Sequence, residues 1–184
     1  MEDYRQIRTT IYCILQARRR LQLSRARCKV CKRTVIVTQI PLFDNPHTMP
    51  PHILLIEDNP SDVELVRTAF EEIGVAAEFT VYRDGDEAIS GIQVMSQGRY
   101  FPKLVLLDLN LPRTSGHEVL TTLRALPNFT VVPVVVLSTS NHPVDRSRSL
   151  AAGANDYQVK PPHFDALLAL VCQLNERWLT EKHD

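Results

Sequence analysis

Acidic side chains follow apolar runs at two places in this chain of 184 residues. The first run is LLIED, which ends at Glu57 and Asp58, and the second is LVLLD, which ends at Asp108. Neighbouring carboxylates raise each other's pKa, so a pair of them at the end of a buried strand needs a cation to stay ionised. A divalent cation would meet that need.

Two further polar residues end strand-like runs. VVPVVVLS ends at Ser138 and NDYQVK ends at Lys160, which add a hydroxyl and an ammonium group. Mg²⁺ accepts a few carboxylates while keeping waters that a phosphate can replace. We therefore expect Mg²⁺ at Glu57, Asp58 and Asp108. With Lys160 neutralising incoming charge, a central Asp108 could attack a phosphoryl group and become an aspartyl phosphate.

Five strands must bring these residues together, because about fifty residues separate the first acids from Asp108. The apolar runs predict strands over 53–57, 78–82, 104–109, 131–138 and 155–160, and three of them are apolar on both faces, as in parallel sheets. Amphipathic helical patterns lie between them. We predict an α/β fold, a flavodoxin-like (βα)5 doubly wound parallel sheet with strand order 2-1-3-4-5. Glu57, Asp58 and Asp108 then meet at the carboxyl edge of strands 1 and 3.

Helix starts are marked by two S-x-x-E sequences, each of which predicts a capping box. They pair Ser61 with Glu64 and Ser115 with Glu118. A last amphipathic pattern predicts a helix from about residue 164 to residue 178, ending at the single tryptophan, Trp178.

The motifs IEDN, LLDLNLP, VLSTS and YQVKPP, in this order and spacing, resemble the receiver domains of two-component response regulators over about residues 52 to 179. The resemblance implies that Asp108 accepts a phosphoryl group from a kinase phosphohistidine. It implies a phosphoacceptor that only dephosphorylates itself, not an enzyme. Asp58, Asp108 and the backbone carbonyl of Asn110 would bind Mg²⁺, with Glu57 acting through water or as an outer ligand.

The same resemblance assigns the remaining site residues. Lys160 would pair with the phosphoryl oxygens, Ser138 would hydrogen-bond to them, and Tyr157 would be the aromatic switch that turns inward after phosphorylation. The Lys160–Pro161 bond is expected to be cis, which is inexpensive only before proline. Asn110 and Ser140 are expected to set the lifetime of the acyl phosphate.

Several longer segments resemble the stand-alone receivers that are paired with bacterial phytochrome kinases. They are SDVELVRTAFEE, LVLLDLNLPRTSGHEVL, PVVVLSTS and ERWL. This resemblance implies a sensor histidine kinase, a bacteriophytochrome, as the partner and a homodimer through the final helices. About six residues follow the last helix, so no DNA-binding domain is expected there. Output is expected by protein contact or phosphoryl relay.

A Mg²⁺-dependent phosphohydrolase of the haloacid-dehalogenase type is the alternative function. That class also uses a nucleophilic Asp after a parallel strand, but it needs a second Asp two residues later as the general acid. Asn110 occupies that position and cannot donate a proton in that role. This residue favours the phosphorylated switch.

The two parts of the chain differ in charge. Residues 1–48 carry ten Lys/Arg and three Asp/Glu, whereas residues 49–184 carry eleven and eighteen. The proline-rich stretch 41–52 is typical of a linker. We interpret 49–184 as the receiver domain and 1–48 as a basic extension that is disordered or outside the core, with Met49 as an alternative start. Its basic run could bind nucleic acid, and Cys28-x-x-Cys31 has zinc-knuckle spacing without a second Cys/His pair.

No stretch approaches the roughly 20 apolar residues of a membrane helix, and no signal peptide is visible. We expect a cytoplasmic protein without a membrane partner. The four cysteines do not form a convincing disulfide framework in that compartment.

Overall fold

The chain divides into two units, Met1–Thr48 and Met49–Asp184. The computed structural model describes residues 24–27, 34–37 and 50–180. Three of the four cysteines, Cys13, Cys28 and Cys31, and most of the basic run lie outside the described residues, so the predictions made for them are not tested.

The described part of the first unit is an antiparallel pair of strands that the sequence analysis did not predict. Strand β1 (Ser24–Arg27) pairs with β2 (Thr34–Val37), and Ser24 lies opposite Val37. The sequence of β2, TVIV, consists only of β-branched residues, which favour strands.

The second unit is built on a sheet of five parallel strands. They are β3 (His52–Ile56), β4 (Glu78–Tyr82), β5 (Leu104–Leu107), β6 (Val134–Ser138) and β7 (Asp156–Val159). Their spatial order is β4-β3-β5-β6-β7, with every neighbouring pair parallel. The predicted flavodoxin-like order 2-1-3-4-5 is confirmed. The three central strands are almost wholly buried, as their two-sided apolar runs require.

Five helices connect and follow these strands. They are α1 (Pro60–Glu72), α2 (Gly85–Ser96), α3 (Gly116–Ala125), α4 (Pro143–Ala151) and α5 (Phe164–Leu174), which a π-helical turn continues over Asn175–Leu179. Helices α1 and α5 pack on one face of the sheet, around Phe70 and Val171. Helices α2 and α3 pack on the other face, around Ile92 and Leu120.

The helix starts confirm one predicted capping box and correct the other. Ser115 and Glu118 cap α3 reciprocally, as predicted. Helix α1 instead begins two residues earlier than predicted, at Pro60, and its N-cap is Asn59, whose side chain accepts a hydrogen bond from the Ser61 amide. The prediction for Ser61 and Glu64 is wrong because proline at the first helical position, preceded by a capping Asn, is itself a strong start signal.

Among the described residues, no helix is both long enough and apolar enough to cross a membrane.

Candidate functional site

Backbone hydrogen bonds continue the sheet one residue beyond three strands and thereby fix the site residues. The amide of Glu57 donates to the carbonyl of Tyr82 at 2.9 Å, and the amide of Asp108 donates to the carbonyl of Ile56 at 2.9 Å. The amide of Lys160 donates to the carbonyl of Ser138 at 2.8 Å. The predicted polar residues therefore lie at one edge of the sheet, which is the carboxyl edge.

Three carboxylates converge at this edge. Glu57, Asp58 and Asp108 each offer an oxygen, and these oxygens lie within 4.8 Å of one another. Glu57 and Asp108 are buried, with 3% and 4% of their surface exposed, whereas Asp58 is exposed. Buried carboxylates this close together repel each other unless a cation joins them. An all-oxygen, partly open donor set of this kind fits Mg²⁺.

The Lys160 ammonium group lies among the acids and contacts three of them. Its Nζ atom lies 2.7 Å from Glu57 Oε2, 2.7 Å from Asp108 Oδ2 and 2.8 Å from Asp62 Oδ2. An ammonium group has three hydrogen atoms to donate, so these three carboxylates use all of them. Asp58 belongs to the same acidic cluster, so the site holds four carboxylates and one ammonium group and carries excess negative charge.

Burial and charge shift the pKa values of two site residues in the same direction. Burial raises the pKa of Glu57 to about 7, because the hydrogen bond and charge of Lys160 only partly offset the loss of solvation. Burial alone would lower the pKa of Lys160, but its hydrogen bonds to Asp108, Asp62 and Glu57 outweigh burial and raise that pKa. Lys160 therefore stays protonated and positively charged, whereas Glu57 takes up a proton near neutral pH.

The loop after β5 holds Asp108 and Asn110 in place. The Asn110 amide donates to Asp108 Oδ1 at 3.0 Å, and the Asn110 side chain donates to Thr139 Oγ1 at 3.2 Å. Helix α3 approaches so closely that a Cβ on Gly116 would lie 2.2 Å from the Asp108 carbonyl oxygen. Only glycine fits there, which explains why the SG pair opens this helix.

Ser138 and Tyr157 are joined through Ser140. Ser138 is fully buried, and its Oγ accepts a hydrogen bond from the Ser140 amide at 3.2 Å. The Tyr157 hydroxyl donates to the Ser140 carbonyl at 2.9 Å, and only 1% of Tyr157 is exposed. The ring therefore lies inward, and the Ser140 carbonyl gives its hydroxyl a buried partner. The role of Tyr157 as an aromatic switch stays a prediction.

The predicted cis bond between Lys160 and Pro161 is wrong. The described residues contain no cis peptide bond, so this bond is trans. The trans form is the favoured isomer before proline by a small margin.

Sequence reasoning missed two residues that matter at the site. Asp62 contacts Lys160 across 98 positions of sequence, and its signal was its place in the first turn of a helix that starts at this sheet edge. Thr139 receives the Asn110 side chain and follows directly after Ser138.

Comparisons with known proteins give a consistent family. The family model described as the response regulator receiver domain matches residues 53–172. The probable methanogenesis regulatory protein FilR2 of Methanothrix harundinacea is 38% identical over 128 residues, which cover 69% of this chain and 83% of FilR2. The response regulator Rcp1 of Synechocystis is 36% identical over 134 residues, covering 71% and 90% of the two chains.

Solved structures agree with the sequence relatives. The phosphorylated cyanobacterial phytochrome response regulator RcpA superimposes with a TM-score of 0.66 at 35% identity, covering 72% of this chain and 96% of RcpA. The Mn²⁺-bound form of Rcp1 superimposes with a TM-score of 0.61 at 32% identity, covering 71% and 95%. Nothing in these comparisons supports the phosphohydrolase alternative.

A parallel sheet of order 2-1-3-4-5, three converging acids with a lysine at its carboxyl edge, and a family match across most of residues 50–180 lead to one conclusion. The chain belongs to the response regulator receiver domain family and is a response regulator of a phosphorelay.

Proposed function

We propose that Asp108 is the residue that accepts the phosphoryl group, from a phosphohistidine of a sensor kinase. The observation that carries this proposal is the placement of Asp108. Asp108 belongs to the three-acid cluster, follows β5, the middle strand of the sheet, and contacts Lys160 at 2.7 Å. Lys160 also contacts Glu57, but Glu57 follows β3, which does not neighbour β6, the strand that ends at Ser138.

The transfer is a substitution at phosphorus. A carboxylate oxygen of Asp108 forms the new P–O bond while the P–N bond to the histidine breaks, and the imidazole nitrogen keeps the bonding electrons and takes a proton. Lys160 compensates the negative charge on the phosphoryl oxygens, and the Ser138 hydroxyl donates to one of them. The aspartyl phosphate is lost later by hydrolysis, with Asn110 and Ser140 lining the approach of water.

Mg²⁺ is the cofactor that this donor set supports. Glu57, Asp58 and Asp108 would hold it together with the backbone carbonyl of Asn110, and Glu57 would act as an outer or water-mediated ligand. When bound, the ion supplies positive charge that offsets the charge of the acids and of the incoming phosphoryl group. The Mn²⁺-bound form of Rcp1 supports a divalent cation in a relative of this chain.

Tyr157 would act as the switch that reports phosphorylation. A phosphoryl group that accepts a hydrogen bond from the Ser138 hydroxyl would draw its oxygen away from the Ser140 amide, which donates to that oxygen at 3.2 Å. The Ser140 carbonyl, which holds the Tyr157 hydroxyl, belongs to the same short loop. Phosphorylation would therefore change the stability of the inward Tyr157 and the surface formed by α4, β7 and α5.

A phytochrome-type kinase is the partner that we propose, on the basis of the likeness to RcpA. A homodimer would form through the surface of α5 and its neighbours, where Val144 and Val159 are exposed apolar residues and Arg177 stacks on Trp178 at 4.7 Å. We place the protein in the cytoplasm and expect no DNA contact. Residues 1–48 would be an extension outside the receiver domain, which comprises 49–184.

The test is incubation with purified, radiolabelled phosphohistidine kinases, including a bacteriophytochrome. We expect label on the wild-type chain when Mg²⁺ is present and none on Asp108→Asn, which should keep its fold. Label on Asp108→Asn, or no label on the wild type from any kinase, would contradict the assignment. Lys160→Ala should accept label but fail to change the Tyr157 NMR signals.

A further inference from the structure

We infer that Asp62 is a positioning residue that keeps Lys160 at the site when a divalent cation occupies the three-acid cluster. This inference rests on the proposed function and adds to it a fourth acid, which lies on α1 and follows no strand. Asp62 Oδ2 lies 2.8 Å from Lys160 Nζ, and the side chains of Asp62 and Lys160 are 30% and 16% exposed.

The three carboxylates that contact Lys160 differ in whether they also belong to the candidate metal site. Glu57 and Asp108 also belong to the group of oxygens that converge within 4.8 Å, whereas Asp62 does not. A cation in that group competes with Lys160 for the oxygens of Glu57 and Asp108. Asp62 has no such competitor and remains available to the ammonium group.

A positioned ammonium group matters because Lys160 carries a long, flexible side chain. Without an anionic partner outside the metal group, it would be released towards solvent when the cation binds. The Lys160 side chain would then lose conformational entropy again when its ammonium group binds a phosphoryl oxygen. Asp62 holds it within reach of Asp108 throughout, so that only a small displacement is needed.

An acid in the first turn of a helix is also favoured by the helix dipole, and that role needs no contact with Lys160. Glu64 separates the two roles, because it is an exposed acid near the start of the same helix and is not among the three contacts of the ammonium group. Asp62→Ala and Glu64→Ala each remove one negative charge from α1. Only the first of them removes a partner of Lys160.

The experiment measures the exchange with water of the Lys160 ammonium protons, by NMR of the full-length ¹⁵N-labelled chain at low temperature. The chain has five lysines, and Lys160→Arg assigns the protected signal. Without Mg²⁺ we expect the Lys160 ammonium protons to be protected from exchange in the wild type and in both variants, Asp62→Ala and Glu64→Ala. At saturating Mg²⁺ we expect the Lys160 ammonium protons to stay protected in the wild type and in Glu64→Ala. In Asp62→Ala they should exchange about tenfold faster, as the loss of one charge-assisted hydrogen bond implies.

Equal protection in Asp62→Ala and Glu64→Ala at saturating Mg²⁺ would overturn the inference, and so would a wild-type signal that Mg²⁺ abolishes. A general loss of structure cannot imitate the expected result, because Asp62→Ala must retain protection in the absence of Mg²⁺. The proposed function fails separately, if acetyl phosphate and Mg²⁺ leave Asp108 of the wild type unmodified.

Discussion

Opposite edges of the same sheet each hold one cation, but the two cations have different surroundings. At the carboxyl edge, Lys160 contacts three carboxylates at 2.7–2.8 Å. Towards the amino edge, the Arg124 guanidinium donates to the carbonyls of Gly153, Phe129 and Val132 and to the side-chain oxygen of Asn155, at 2.6–3.0 Å. The acceptors of Lys160 are anions and those of Arg124 are neutral.

This difference separates a reactive site from a structural one. Arg124 joins the loops that precede β6 and β7. Its N–H groups donate to neutral oxygens, which need no further positive charge. At Lys160 the acids exceed the cation, so the site retains affinity for positive charge. Burial alone does not distinguish the two, since both cations are largely covered. The balance of formal charge among close, buried groups is what distinguishes them.

The largest effect on stability is expected at the structural edge. Arg124→Met should lower the free energy of unfolding by about 3–4 kcal/mol, because several buried carbonyls lose their donor at once. Chemical denaturation with and without Mg²⁺ measures this loss. It should be the same under both conditions. A loss that Mg²⁺ repairs would show that the two edges are not independent.

A somewhat smaller and conditional effect is expected at the site edge. Lys160→Met leaves Glu57 and Asp108 buried without their cation, which should cost about 2–3 kcal/mol at pH 8. Saturating Mg²⁺ should restore most of this stability, since it supplies the missing positive charge. Equal losses with and without Mg²⁺ in the same denaturation experiment would mean that the acids do not share a cation site.

The smallest effect concerns pH. Glu57 has a folded-state pKa of about 7, above its ordinary value of 4.5, so the folded protein holds a proton that the unfolded chain has released between these values. Stability of the Mg²⁺-free protein should therefore fall as the pH rises through this window. Because Mg²⁺ needs the carboxylate, its affinity should rise about tenfold, or about 1.4 kcal/mol, from pH 6 to pH 8.

Isothermal titration calorimetry at several pH values measures this change, and Glu57→Gln is its control. The variant should bind Mg²⁺ more weakly and with little dependence on pH. A wild-type affinity that stays constant between pH 6 and pH 8 would contradict the protonation of Glu57.

Strand positions could be predicted from the sequence because parallel strands buried on both faces leave long apolar runs. The residues that follow those runs, Asp108 and Lys160 among them, were therefore found. Asp62 was missed because the turn was interpreted as a local capping box of Ser61 and Glu64. Its real partner, Lys160, is 98 residues away in the sequence, and the contact forms only when the first turn of α1 lies beside the residue that follows β7. Arg124 was missed for the same reason, since its acceptors come from two separate loops, one before β6 and one before β7.

The direction of Tyr157 could not be obtained from the sequence either. A tyrosine in a strand has a buried or an exposed rotamer, and the buried one here places its hydroxyl on the carbonyl of Ser140, in the loop after β6. Local patterns determine which residues reach the edge of the sheet. Side-chain partners across that edge depend on the packed structure.

The central claim is that Asp108 accepts a phosphoryl group in a site that holds four carboxylates and the ammonium group of Lys160. A crystal structure with Mg²⁺ and beryllofluoride tests it most directly. We predict beryllofluoride bonded to an Asp108 oxygen and the cation beside Asp58. Lys160 and the Ser138 hydroxyl should donate hydrogen bonds to the fluorine atoms. An unmodified Asp108, or one turned away from Asp58 and Lys160, would contradict the account.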